Sequence, residues 1–86
     1  MTYRERMIAK LTAAFSPSFL DVIDESDRHH GHGGGHAEGE THFLVQIAAP
    51  AFAGTSRVQR HRMINEVLKD ELAERVHALS IEVDPA

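Results

Sequence analysis

The chain has 86 residues with no Cys, no Trp, one Tyr and four Phe, and a formal net charge of −4 with His neutral. That length fits one small domain, 1–86, with a thin core. The absence of Cys excludes disulfides, thiol nucleophiles, zinc ribbons and any iron–sulfur site built from cysteines of this chain alone. The acidic balance argues against nucleic-acid binding through bulk charge. Hydrophobic residues are 42% and charged residues 26%, an ordinary globular balance against which seven His stand out. No run approaches the roughly 18 apolar residues of a membrane span. The first six residues, Met1-Thr2-Tyr3-Arg4-Glu5-Arg6, form no apolar signal core, so the expectation is a soluble, cytoplasmic protein.

The first element reads as a helix. Met7, Ile8, Leu11 and Phe15 recur at helical spacing, with Arg4, Glu5 and Lys10 outside, and Thr2 with Glu5 fits a capping box. Ser16-Pro17 stops it. Phe19–Asp24 is short, partly β-branched and bounded by turn residues, which predicts a strand. The segment from Asp27 to Glu40 holds five Gly and four His (His29, His30, His32, His36) and reads as a loop. Thr41–Ala48 alternates, with Phe43, Val45 and Ile47 on one face and His42, Leu44 and Gln46 on the other, and predicts a second strand.

Ser56 with Gln59 fits another capping box and opens a long helix. Its inner stripe is predicted as Val58, His61, Ile64, Leu68 and Leu72, with a break near Asp70. Period two returns at Val76–Val83, a third strand. The predicted order is α-β-β-α-β, an α+β domain with a three-stranded mixed sheet and helices on one face. A strand–helix–strand crossover is parallel and right-handed, so the third strand runs parallel to the second and their starts share one edge. The Gly/His loop feeds that edge, which makes His77 and the loop His residues expected neighbours.

Neutral imidazole is a common ligand for borderline metals, which gives the first functional reading of His29, His30 and His32. Ordering so Gly-rich a loop costs about 1–2 kcal/mol per residue, so a solvated loop without a preformed site competes with that reading. His77 shares parity with Leu79, Ile81 and Val83. It is either a structural His facing the helices or, beside the His loop, a ligand. His42 opens the second strand at the same edge, facing away from the core. His61 lies on the inner stripe and reads as a packed His bonded to a carbonyl or carboxylate. Arg57, Arg60 and Arg62 cluster at a helix start, where they can touch phosphate or pair with Glu66 and the acidic stretch Asp24-Glu25-Asp27. Gly31-His32-Gly33-Gly34-Gly35-His36 lacks the third Gly of a dinucleotide fingerprint, and no nucleophile constellation appears, so no enzyme is expected.

Several separated motifs resemble the BolA family. Phe52-Ala53-Gly54 precedes Arg60-His61-Arg62-Met63-Ile64. Leu68, Glu71-Leu72 and Val76-His77-Ala78-Leu79 follow, and Asp24-Glu25-Ser26, Arg28-His29 and Thr41-His42-Phe43 lie upstream. The match runs from about Tyr3 to Val83. The resemblance implies a class II KH-like fold and a partner, a monothiol glutaredoxin. The heterodimer would hold a bridging 2Fe–2S cluster with glutathione, in iron–sulfur trafficking or iron and redox sensing. It implies His77 as the ligand from this chain and His29 as the second or competing one, with His32 or His36 as substitutes in this Gly-rich loop. A ligand set mixing imidazole with thiolate raises the cluster potential, and binding falls when imidazole is protonated. The family name is also attached to transcriptional control of stress response and cell morphology, which implies DNA contact through Arg57, Arg60 and Arg62. A third reading is a direct zinc or nickel binder. Alone, the chain is expected as a monomer or weak homodimer.

Overall fold

Both helix starts follow from their capping boxes. In the computed structural model, which describes residues 2–25 and 40–84, helix α1 spans Tyr3–Phe15. The Thr2 hydroxyl accepts the Glu5 N–H at 3.0 Å and the Glu5 carboxylate accepts the Thr2 N–H at 2.8 Å. The helix buries Met7 and Leu11 and stops at Ser16, whose φ of 45° is left-handed and whose N–H reaches the Thr12 carbonyl. Pro17 drives this ending, because its ring disfavours a right-handed helical conformation for the residue before it.

Strand β1 (Phe19–Asp24) pairs antiparallel with β2 (His42–Ala48), in a register that sets Val22 opposite Val45. Strand β3 (Ala78–Asp84) pairs parallel with β2, with Ile81 opposite Val45. The order β1-β2-β3 makes β2 central. Alternation therefore separates two faces: Val22, Phe43, Val45 and Ile47 are buried in one cluster with Met7, Leu11, Ile64 and Leu68 from the helices. A 3-10 turn at Pro50–Phe52 seats the fully buried Phe52 ring 4.8 Å from that of Phe15. Gly54, at φ 75°, then turns the chain into the second helix through a conformation that favours glycine.

Helix α2 spans Arg57–Val67 and α3 spans Lys69–Glu74, so the expected break near Asp70 falls at Leu68. Ser56 and Gln59 close the expected capping box. Ile64 and Leu68 are buried as predicted, but Val58 is 59% exposed. The reason is geometric. Stepping back from Ile64 at 100° per residue, the inward face passes through His61 and Arg60 to Arg57, leaving Val58 well off it. The flanking strands also begin slightly later than their sequence patterns. Thr41 precedes β2, and Val76 and His77 precede β3. No helix among the described residues is long and apolar enough to cross a membrane.

Candidate functional site

The parallel pairing places the starts of β2 and β3 side by side, with His42 opposite Ala78. At the entry to β3, three consecutive backbone N–H groups are tied down. Val76 donates to the Glu71 carbonyl at 3.0 Å, while His77 and Ala78 both donate to the Thr41 carbonyl, at 2.8 and 3.1 Å. Val76 is buried at 2% exposure, and so is Thr41 at 4%. The His77 side chain is nonetheless exposed. It does not face the helices as the parity of β3 predicts, because alternation holds only inside the strand and the strand starts one residue later. The result is an exposed imidazole on a fixed backbone. His42 beside it is half-buried, with Nδ1 2.9 Å from the Thr41 hydroxyl.

His29, His30, His32 and His36 lie outside the described residues, and so does their expected contact with His77. The described ends of their segment do meet this edge. Glu25 donates its N–H to the His42 carbonyl at 2.7 Å. Glu40, left-handed at φ 61°, donates its N–H to the Asp24 carboxylate at 3.1 Å. No group of three or more His, Cys, Asp or Glu among the described residues can hold a metal ion. His77 is the exposed imidazole at this edge.

The second candidate surface lies at the start of α2. Arg57 and Arg62 are exposed and make no ion pair among the described residues. Glu66, their expected partner, pairs with Lys69 instead, at 3.2 Å. Arg60 is half-buried and donates from Nε to the Thr55 hydroxyl at 3.0 Å. His61 is not the packed, carbonyl-bonded residue expected from the stripe. It is half-buried and lines a cleft of about 310 Å³ with Arg57, Arg60 and residues Ile81–Val83 of β3.

One charged cluster was not visible in the sequence pattern. Glu71 on α3 is fully buried. Its carboxylate accepts from Arg6 at 3.0 Å and from Lys10 at 2.8 Å, and Glu74 takes a second Arg6 nitrogen at 3.0 Å and the Tyr3 hydroxyl at 3.0 Å. The Arg6 guanidinium also lies 4.5 Å above the Tyr3 ring. The hydrogen bond to Glu71 raises the Lys10 pKa, and those from Arg6 and then Tyr3 lower that of Glu74. The one available signal was the pairing of cations at i, i+4 on α1 with acids at i, i+3 on α3.

A small α+β domain with this three-stranded mixed sheet is the architecture of the BolA proteins. The family model described as BolA-like protein matches residues 11–85, and the chain belongs to this family. It is 46% identical over 81 residues to the DNA-binding transcriptional regulator BolA of Escherichia coli strain K12, covering 94% of this chain and 73% of that protein. Among solved structures it resembles the BolA domain of SufE1 from Arabidopsis thaliana. That match has a TM-score of 0.85 and 42% identity, and covers 98% of this chain and 92% of the other. The solution structure of BolA1 from Mus musculus matches with a TM-score of 0.79 and 40% identity, over 95% of this chain and 63% of that one.

Proposed function

We propose that this chain is a non-enzymatic adaptor that lends imidazole to a 2Fe–2S cluster shared with a monothiol glutaredoxin and glutathione. The observation that carries the reading is His77, exposed on a backbone fixed by the Thr41 carbonyl in a chain without Cys. A chain without Cys suits a shared cluster, in which the partner and glutathione supply the sulfur and this chain supplies imidazole. When bound, such a cluster supplies one-electron redox chemistry, at a potential raised by imidazole ligation. Within the chain, Val76 and Thr41 hold the His77 backbone while the side chain stays open to the partner. His29 is the proposed second ligand, with His32 as its substitute. The test is visible absorption and circular dichroism of the chain reconstituted with a monothiol glutaredoxin, glutathione, iron and sulfide. The expected outcome is a heterodimer spectrum distinct from that of the glutaredoxin alone and absent in His77→Ala. An unchanged spectrum in the variant overturns the assignment.

A second reading, DNA-binding regulation, draws on the name of the Escherichia coli relative and on Arg57 and Arg62, which have no ion pair among the described residues. Those side chains would meet phosphate. Arg57→Glu with Arg62→Glu is then expected to weaken binding across all sequences and to flatten its salt dependence by about one unit of slope per lost phosphate contact. A salt slope that the double variant does not change removes this reading.

A further inference from the structure

The cleft beside α2 opens along the outer edge of the sheet. Strand β3 pairs only with β2 among the described residues, so its other edge presents backbone donors and acceptors over residues 78–83 that no described strand takes up. Such an edge is a template for another strand unless Pro, Lys or a covering element blocks it, and β3 contains neither Pro nor Lys. The opposite edge is treated differently, since the Val22 carbonyl of β1 accepts Arg4 Nε at 2.6 Å.

What lies against the β3 edge is cationic. Arg57, Arg60 and His61 face Ile81–Val83 across the cleft. The arginines have no ion pair among the described residues, and Arg60 is steadied by Thr55 through Nε, leaving its terminal nitrogens available. Glu82 also lines the cleft, but its carboxylate accepts Gln46 Nε2 at 2.9 Å and makes no ion pair with the arginines. Backbone pairing on one wall and uncompensated cations on the other define a complementary ligand.

We propose that the edge of β3 takes up an extended acidic peptide segment of a partner protein as a fourth strand, its carboxylates meeting Arg57 and Arg60. Strand addition gives affinity through main-chain hydrogen bonds and selectivity through side-chain positions alternating along the added strand. A nucleic-acid backbone suits the cations but not the edge, because phosphate accepts hydrogen bonds without donating any to the strand carbonyls. A second copy of this chain fits less well. Antiparallel pairing of two β3 strands about Ile81 sets Glu82 opposite Ser80 and Asp84 opposite Ala78, and brings neither acid to Arg57. The surface is also separate from His77. The part that faces the arginines centres on Glu82, five residues or about 16 Å along the chain from His77, so the inference stands independently of the cluster reading.

The test is a titration of the ¹⁵N-labelled full chain with a short acetylated and amidated peptide alternating Glu with Val, followed by amide and arginine side-chain shifts. Three controls accompany it: the same peptide N-methylated at alternate residues, its Lys-for-Glu counterpart, and single-stranded oligo-deoxythymidine. The expected result is a set of shifts over residues 79–84 and at Arg57, Arg60 and His61, with His77 unmoved. Affinity is expected to fall about five-fold or more in Arg57→Glu, in line with the loss of a partly exposed charge pair and its reversal. That variant keeps the helix, because an acid in the first turn suits the helix dipole. Equal binding of the N-methylated peptide overturns strand addition. Equal binding of the Lys peptide overturns the charge assignment. Binding of the oligonucleotide alone reassigns the cleft to nucleic acid, and no shift from any probe removes the site.

Discussion

Arg6 and Lys10 on α1 reach a carboxylate that is fully buried, whereas Arg57 and Arg62 on α2 reach none among the described residues. Both pairs were alike in sequence, as cations spaced along a helix. Their difference lies in what the fold brings to them. Glu71 and Glu74 come from an element more than sixty residues away and lock α3 onto α1. The Arg57 side faces the edge of a strand. Charge satisfied between elements fixes packing, and charge left over at an edge is available to a ligand.

Replacing Glu71 separates these roles most strongly. Glu71→Ala removes a buried carboxylate and leaves a cavity, and is expected to destabilise the domain by about 2 kcal/mol. This sits below the range for a fully buried pair, because Arg6 and Lys10 can regain water. Urea denaturation measures it, and a loss under about 0.5 kcal/mol is no more than a surface substitution produces. Next comes pH. Glu74 and Glu5 titrate below their ordinary 4.5 in the folded chain, held by Arg6 and Thr2 respectively. Their contribution is present above 4.5 and is lost as pH falls through the lowered folded values. Lys10, raised above 10.5 by Glu71, behaves oppositely: its contribution is present below 10.5 and is lost as pH rises through the higher folded value. These groups should therefore lower the melting temperature at both the acid and the alkaline end, and Glu74→Gln should shallow the acid limb. An acid limb of unchanged steepness in that variant contradicts the assignment. The smallest stability effects belong to the available groups. His77→Ala and Arg57→Glu should each change folding stability by less than about 0.5 kcal/mol while changing cluster spectra and peptide binding respectively. A large drop in melting temperature for either would place it with Glu71 as a packing residue.

Local signals carried most of the fold. The capping boxes at Thr2 and Ser56, the alternation of Phe43, Val45 and Ile47, and the crossover rule that makes β3 parallel all appear in the structure. The misses share a physical origin. Val58 was placed on the inner stripe because it is apolar, although the helical phase set by Ile64 passes through Arg57. Glu71 was invisible because binary patterning assigns charge to solvent, and its compensation comes from residues distant in sequence. His77 was given the facing of a strand it precedes. Its exposure follows from the hydrogen bond to Thr41, a contact that no local periodicity encodes. The resemblance to the BolA family singled out His77 from motif alone, and the structure adds how its backbone is held.

Glu40 gives this architecture a further property. Its carboxylate lies 3.2 Å from the Arg4 N–H at the start of α1, while its own N–H is held by Asp24. With the Glu25 N–H on the His42 carbonyl, both ends of the stretch from 26 to 39 are pinned to the frame. Closing a longer loop between fixed ends costs only about 0.6 kcal/mol per doubling of length. A change of length between Glu25 and Glu40 is therefore expected to cost the sheet little. The mounting belongs to the frame and not to what it carries.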